Sequence, residues 1–252
     1  MSNTSAPVRP LEGIVALVTQ VTHFVGPVAA AALSAAGARV AVADPSFSDA
    51  ARRLAFAEAH PDVLVLAAGD PDSMVAETEA SLGPIDFAIS NDAFPAHRIP
   101  VDKARDADAE AAFAALSLQP FSFARALAPG MKARGRGHIL FVSSAAPLRG
   151  LPNYSIYCAA RGATNALALA LARELGPAGV RVNALAPNFV ENEDYFPESL
   201  RADPAAMAKI TAQIPLRRLG RPEEVAGTLV WLGSAASGFV TGQVIPFAGG
   251  WA

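Results

Sequence analysis

One cysteine, Cys158, stands in a chain of 252 residues. No internal disulfide is available, which leads to the expectation of a reducing, cytoplasmic setting. Charge is also scarce. Asp, Glu, Lys and Arg make up 17% of the residues, and the net charge is −3. Without a basic field, nucleic acid and anionic membranes drop out as partners. The four histidines, His23, His60, His97 and His138, show no metal-ligand spacing, so no metal is expected. The longest apolar stretch, over 159–175, is interrupted by Arg161, Asn165, Arg173 and Glu174, too often to cross a bilayer. The first ten residues contain no apolar h-region, so no secretory signal is expected.

What the chain has in quantity is apolar residues, 52% of the total, which excludes disorder. Short β-branched runs alternate with longer alanine-rich stretches. The pattern predicts strands over 14–19, 39–44, 63–67, 85–90, 137–144, 181–186 and 243–247. It predicts helices over 27–36, 46–59, 71–81, 106–134, 154–175 and 222–232. The strand segments are continuously apolar, as strands covered on both faces are. Regular βαβ alternation implies an α/β fold, a doubly wound Rossmann-like three-layer sandwich with a central parallel sheet of about seven strands. No linker or repeat interrupts it, so 1–252 reads as a single domain. The polar and aromatic segment 188–203 breaks the rhythm after the sixth strand. Ligands in such sheets bind beyond the carboxyl ends of the strands, so this segment is expected to cover the site.

Three residues carry a possible chemistry. Tyr157 and Arg161 lie four apart on one predicted helix and share a face. Arginine is a permanent cation, and a nearby cation favours the phenolate over the phenol. Ser144, at the end of the fifth strand, can donate a hydrogen bond to a substrate oxygen. Together these groups can bind a hydroxyl, orient it and remove its proton.

The same residues appear in an ordered set. Ser144 is followed thirteen residues later by Tyr157, with a basic residue four positions on. Arg181-Val182-Asn183-Ala184-Leu185-Ala186-Pro187 follows. Later come Gly220-Arg221-Pro222-Glu223-Glu224-Val225-Ala226, Thr241-Gly242-Gln243-Val244 and Ala248-Gly249-Gly250. This set resembles the short-chain dehydrogenases/reductases. That family carries a Thr-Gly-x-x-x-Gly-x-Gly turn after the first strand, where glycines let backbone approach the dinucleotide pyrophosphate. Here the turn reads Thr19-Gln20-Val21-Thr22-His23-Phe24-Val25-Gly26, and only Gly26 remains. The family's Asn-Asn-Ala-Gly reads Ser90-Asn91-Asp92-Ala93, its helix asparagine is Leu116, its lysine is Arg161 and its Pro-Gly is Pro187-Asn188. All five departures concern one cofactor, so no nicotinamide cofactor is expected. Asp44 points the other way, because an acid at the end of the second strand commonly reads the adenine ribose.

The altered set resembles the halohydrin dehalogenases, a cofactor-free branch on the reductase fold. It matches in His23-Phe24, in Ser90-Asn91-Asp92 and in the Ser144, Tyr157, Arg161 triad. The resemblance implies dehalogenation of vicinal haloalcohols to epoxides, and epoxide opening by azide, cyanide or nitrite. It places the halide site at Pro187, Asn188, Phe189 and Val190, with Phe24 and Phe196 as apolar walls. Backbone N–H groups in such a loop can solvate an anion. Substrate contacts fall on Leu148, Pro152, Asn153, Tyr195 and Phe196, and a homotetramer built through the two long helices is implied. Asp92 either orients Arg161 or caps the segment after it. Two other readings stand beside this one: an NAD(P)-dependent reductase with a degenerate glycine motif, and a non-catalytic sensor. With few residues after Gly249-Gly250, Trp251 is expected to have little reach towards a neighbouring subunit's site.

Overall fold

The apolar runs become strands because helices cover them on both sides. In β1 (Val15–Val18) every residue is buried; Val15 and Leu17 face one helical layer, Ala16 and Val18 the other. The computed structural model describes residues 9–67 and 69–252, so most of the segment read as lacking a secretory signal lies outside it.

After β1 the chain runs through α1 (Gly26–Ala35), β2 (Arg39–Val42), α2 (Ala50–Ala59), β3 (Val63–Val65), α3 (Pro71–Leu82) and β4 (Phe87–Ser90). It continues through α4 (Asp106–Phe113), α5 (Gln119–Arg134), β5 (Gly137–Val142), α6 (Ala146–Arg149), α7 (Ser155–Leu175) and β6 (Val180–Pro187). It closes with α8 (Glu198–Arg201), α9 (Pro204–Thr211), α10 (Pro222–Gly233) and β7 (Val244–Phe247). The seven strands lie in the order β3-β2-β1-β4-β5-β6-β7, and every pairing is parallel. Helices α1, α2 and α10 pack on one face of the sheet, and α3, α5 and α7 on the other. Strand order reverses between β1 and β4, which opens a crevice at their carboxyl ends.

Two predicted helices are divided. The stretch 46–59 starts as a 3₁₀ turn, Pro45–Ser48, before Asp49 caps α2 through bonds from the N–H groups of Ala51 and Arg52. The stretch 106–134 passes through a π-helical turn at Ala114–Leu118. Pro120 has no N–H to offer the Leu116 carbonyl one turn back. That carbonyl accepts from the Thr164 hydroxyl of α7 instead. Among the described residues, no helix is long and apolar enough to cross a membrane.

Candidate active site

The ends of β1, β4, β5 and β6 face a cavity of about 570 Å³ at the carboxyl edge of the sheet. Ser144 follows β5 and lines it. Its Oγ accepts from the Ala146 N–H at 3.1 Å, which leaves the hydroxyl proton for another partner. Tyr157, in the first turn of α7, lines the same cavity. Arg161, one turn on, is 2% exposed and stands behind the tyrosine, its guanidinium carbon 5.6 Å from the ring centroid. Nη1 donates to the Val142 carbonyl and Nη2 to the Asp92 carbonyl, each at 2.8 Å. Burial disfavours the Arg161 charge, but Tyr157, Tyr195 and Asp92 outweigh it and raise its pKa. The residue is therefore a fixed cation aimed by two backbone carbonyls.

Asp92 takes part in two ways. Its main chain aims Arg161, and its carboxylate accepts from the Ser90 hydroxyl. Burial pushes this carboxyl up to about 6, although Ser90 and Arg161 both pull it down. Tyr195 reaches in from the segment after β6, and its hydroxyl donates to the Phe94 carbonyl at 3.3 Å. Burial, with Tyr157 next, raises the Tyr195 pKa, so this phenol stays neutral and serves as a hydrogen-bonding group rather than a base.

The turn after β1 keeps a glycine's backbone without the glycines. Gln20 and Phe24 both hold φ of 46°, in the left-handed region. Gln20 Oε1 accepts from the Ala93 N–H at 2.9 Å, and Asn91 Nδ2 donates to the Gln20 and His23 carbonyls. Gly26 is retained for packing, since a Cβ there would lie 2.6 Å from the Val21 carbonyl oxygen. The Phe24 ring meets the Tyr195 ring edge-on at 5.7 Å, and the Phe24 N–H donates to the Asp194 carboxylate at 3.0 Å. Asp194 Oδ1 also lies 3.7 Å from His23 Nδ1. A carboxylate and a benzyl group therefore occupy the turn that would cradle a pyrophosphate, and these residues do not fit a dinucleotide.

Asp44 does not reverse this. Its carboxylate accepts from the N–H and hydroxyl of both Thr22 and Ser46. Burial pushes it up, but these bonds prevail and hold it below the ordinary carboxylate range. Four bonds fill the acceptor sites a ribose would need. Among the described residues no cluster of metal-ligating side chains occurs.

Residues 23–252 match the enoyl-(acyl carrier protein) reductase family. Nodulation protein G of Azospirillum brasilense is 34% identical, with 94% of this chain and 97% of that protein covered. A solved structure described as a dehalogenation enzyme superposes with a TM-score of 0.93 at 44% identity, covering 96% of this chain and all of that one. A halohydrin dehalogenase bound to ethyl (2S)-oxiran-2-ylacetate gives 0.91 at 37% identity, covering 94% and 96% of the two chains. The chain belongs to the halohydrin dehalogenases. That branch sits within the short-chain dehydrogenase/reductase family, to which the sheet order and the match over 23–252 also assign it.

In this halohydrin dehalogenase fold, Phe24, Pro187, Asn188, Phe189, Val190, Tyr195 and Phe196 line the cavity together with Ser144 and Tyr157. In the loop after β6, the Asn188 N–H is engaged by the Phe247 carbonyl and the Phe189 N–H by the Asn188 side-chain oxygen. Three sequence-marked residues lie outside the lining. Leu148 is 45% exposed on α6, Pro152 is exposed, and Asn153 turns at φ 70° with its carbonyl accepting from Ile99. From that segment Leu151 and Tyr154 line the cavity instead. Asn192, within the segment 188–203, also reaches it, as do Trp251, Gln213, Pro95 and Ala96, which were not assigned to this cavity from the sequence. Leu116 is fully buried in an apolar cluster against which Tyr157 packs.

Proposed function

We propose that the protein is a cofactor-independent enzyme that converts vicinal haloalcohols to epoxides with release of halide and a proton. The Ser144 hydroxyl holds the substrate oxygen, and the Tyr157 phenolate removes its proton. The resulting alkoxide attacks the neighbouring carbon, a C–O bond forms, and the C–halogen bond breaks with its electron pair leaving on the halide. Attack within one molecule needs no second reactant and no hydride acceptor. Tyr157 then passes the substrate's proton to solvent, and the Arg161 cation, 5.6 Å from its ring centre, faces the oxygen's change of charge over the cycle. The halide departs into the loop Pro187–Val190, where the Phe189 N–H exchanges the Asn188 side chain for the anion and Phe24 supplies an apolar wall. In reverse, azide, cyanide or nitrite enters there and opens an epoxide. The epoxide held by the 37%-identical relative fits this substrate class.

The observation that carries the reading is that Ser144 and Tyr157 face a cavity that the chain's own Phe24 and Asp194 also line, with the Phe24 N–H bonded to the Asp194 carboxylate. Halide release from 1-bromo-2-propanol, followed with a halide electrode, is the test. Activity is expected in the wild type and a loss of about 10²–10⁴-fold in Tyr157→Phe. Micromolar binding of NADH, read by tryptophan fluorescence, would favour the reductase instead.

Three further elements complete the proposal. Residues 1–252 form one domain in which 188–203 covers the site. Tyr195 and Phe196 contact the substrate. A homotetramer forms through the long helices, where Leu118, Phe121 and Leu169 expose apolar side chains.

A further inference from the structure

The cavity extends beyond what the triad and the halide loop require. One part of its wall is an apolar cluster in which Leu151 and Phe189 pack with Trp251. Trp251 is 6% exposed yet lines the cavity of its own chain. Its delivery is built into the backbone. Gly249 and Gly250 turn at φ of 58° and 85°, and a Cβ on Gly249 would lie 2.8 Å from Ile214. The Trp251 N–H then returns to the Ala248 carbonyl at 3.0 Å. Arg149, at the end of α6, holds the residue twice. Its guanidinium carbon lies 4.8 Å from the centre of the Trp251 ring, and Nη1 donates to the Trp251 carbonyl at 2.9 Å. On its other side the indole meets the Phe189 ring edge-on at 5.5 Å.

We propose that Trp251 is a specificity-determining residue and Arg149 the positioning residue that holds it. The proposal rests on the dehalogenase reading. With the substrate oxygen on Ser144 and Tyr157 and the halogen in the loop Pro187–Val190, the remaining carbon substituent lies against Leu151 and Trp251. The braced indole limits how large that substituent can be.

The experiment compares kcat/KM for 1-bromo-2-propanol, which carries a methyl group, with 2-bromo-1-phenylethanol, which carries a phenyl group on the same carbon. Wild type, Trp251→Ala, Trp251→Phe and Arg149→Gln are measured across pH. Trp251→Ala raises the phenyl-to-methyl ratio by about tenfold or more, the scale on which pocket size discriminates. Arg149→Gln moves the ratio the same way by less, Trp251→Phe keeps it near wild type, and the pH profile holds in all three. Should Trp251→Ala fail to fold, Arg149→Gln, altered at an exposed side chain, carries the test. An unchanged ratio in variants of an active wild type overturns the Trp251 assignment alone. Equal loss on both substrates with a shifted pH profile does so as well. Absence of halide release from both substrates in the wild type overturns the dehalogenase reading and this proposal together.

Discussion

Asp92→Asn separates the energetic role of this carboxyl from its positional one. The residue is 7% exposed, and burial pushes its carboxyl from the ordinary 3.8 up to about 6 despite Ser90 and Arg161. A carboxyl raised in the folded state binds its proton more tightly there than in the unfolded chain. Below pH 4 both states are protonated and nothing is lost. As pH rises through the interval from 4 to 6, the unfolded chain ionises first and folding stability falls. Above pH 6 the loss is complete, at about 3 kcal/mol. Asparagine is nearly the same size, offers Ser90 an acceptor oxygen and does not titrate. The backbone carbonyl that aims Arg161 is the same in both proteins. Urea unfolding of wild type and variant at several pH values gives the difference directly, and contributions common to both cancel. The variant's stability relative to wild type is expected to rise by about 3 kcal/mol between pH 4 and pH 7. A difference that stays flat with pH, or that grows in favour of wild type, refutes the account of Asp92 as a costly ionised group.

Asp194→Ala cuts the bond to the Phe24 N–H, and the anion KM in epoxide opening is expected to rise severalfold. Restoration by added acetate would mark a lost carboxylate, whereas an unchanged KM would contradict a role for this bond in anion binding. Gly26→Ala drives a Cβ into the Val21 backbone and is expected to destabilise by about 3 kcal/mol or more, read by thermal unfolding. An ordinary melting temperature would remove the packing explanation for this glycine. His138 is held neutral, pushed down to about 3 mainly by burial and next by Arg181. The unfolded chain gains a proton below about 6.5 that the native state refuses, so stability falls as pH drops from 6.5 towards 3. His138→Gln is expected to flatten that limb in urea titrations, and an unaltered acid slope would count against it.

The sheet was legible because strands buried on both faces leave continuous apolar runs, and Ser144, Tyr157 and Arg161 were legible because their order is fixed along the chain. The π turn left one clue, Pro120, whose missing N–H releases the Leu116 carbonyl; the partner that stabilises it, Thr164, lies on another helix. Three of the residues marked for substrate contact fall outside the cavity lining. Leu148, Pro152 and Asn153 lie in a short helix and turn, where no periodicity tells which side chains point inward, and Leu151 and Tyr154 take their place. Trp251 was read only for its reach towards a neighbour, and Asp194 only as part of the segment 188–203. Each acts through contacts with segments about a hundred or more residues away. Asp92 was half legible, because its role towards Arg161 runs through a main-chain carbonyl that every residue type possesses.

The turn after β1 shows how one backbone serves two chemistries. A side chain in the left-handed region costs on the order of 1 kcal/mol, and Gln20 and Phe24 each carry that cost. Local bonds offset it: Gln20 to Ala93, Asn91 to two carbonyls of the turn, and Asp194 to the Phe24 N–H. The last of these deserves weight because of its sign. A turn leading into the start of α1 favours negative charge. The Asp194 carboxylate, from the segment after β6, meets that preference from within the chain. It also ties the segment after β6 to Phe24, a wall of the proposed halide site. A mobile anion can then be handled nearby without a dinucleotide. The proton-abstracting half of the reductase constellation stays where β5 and α7 had already placed it.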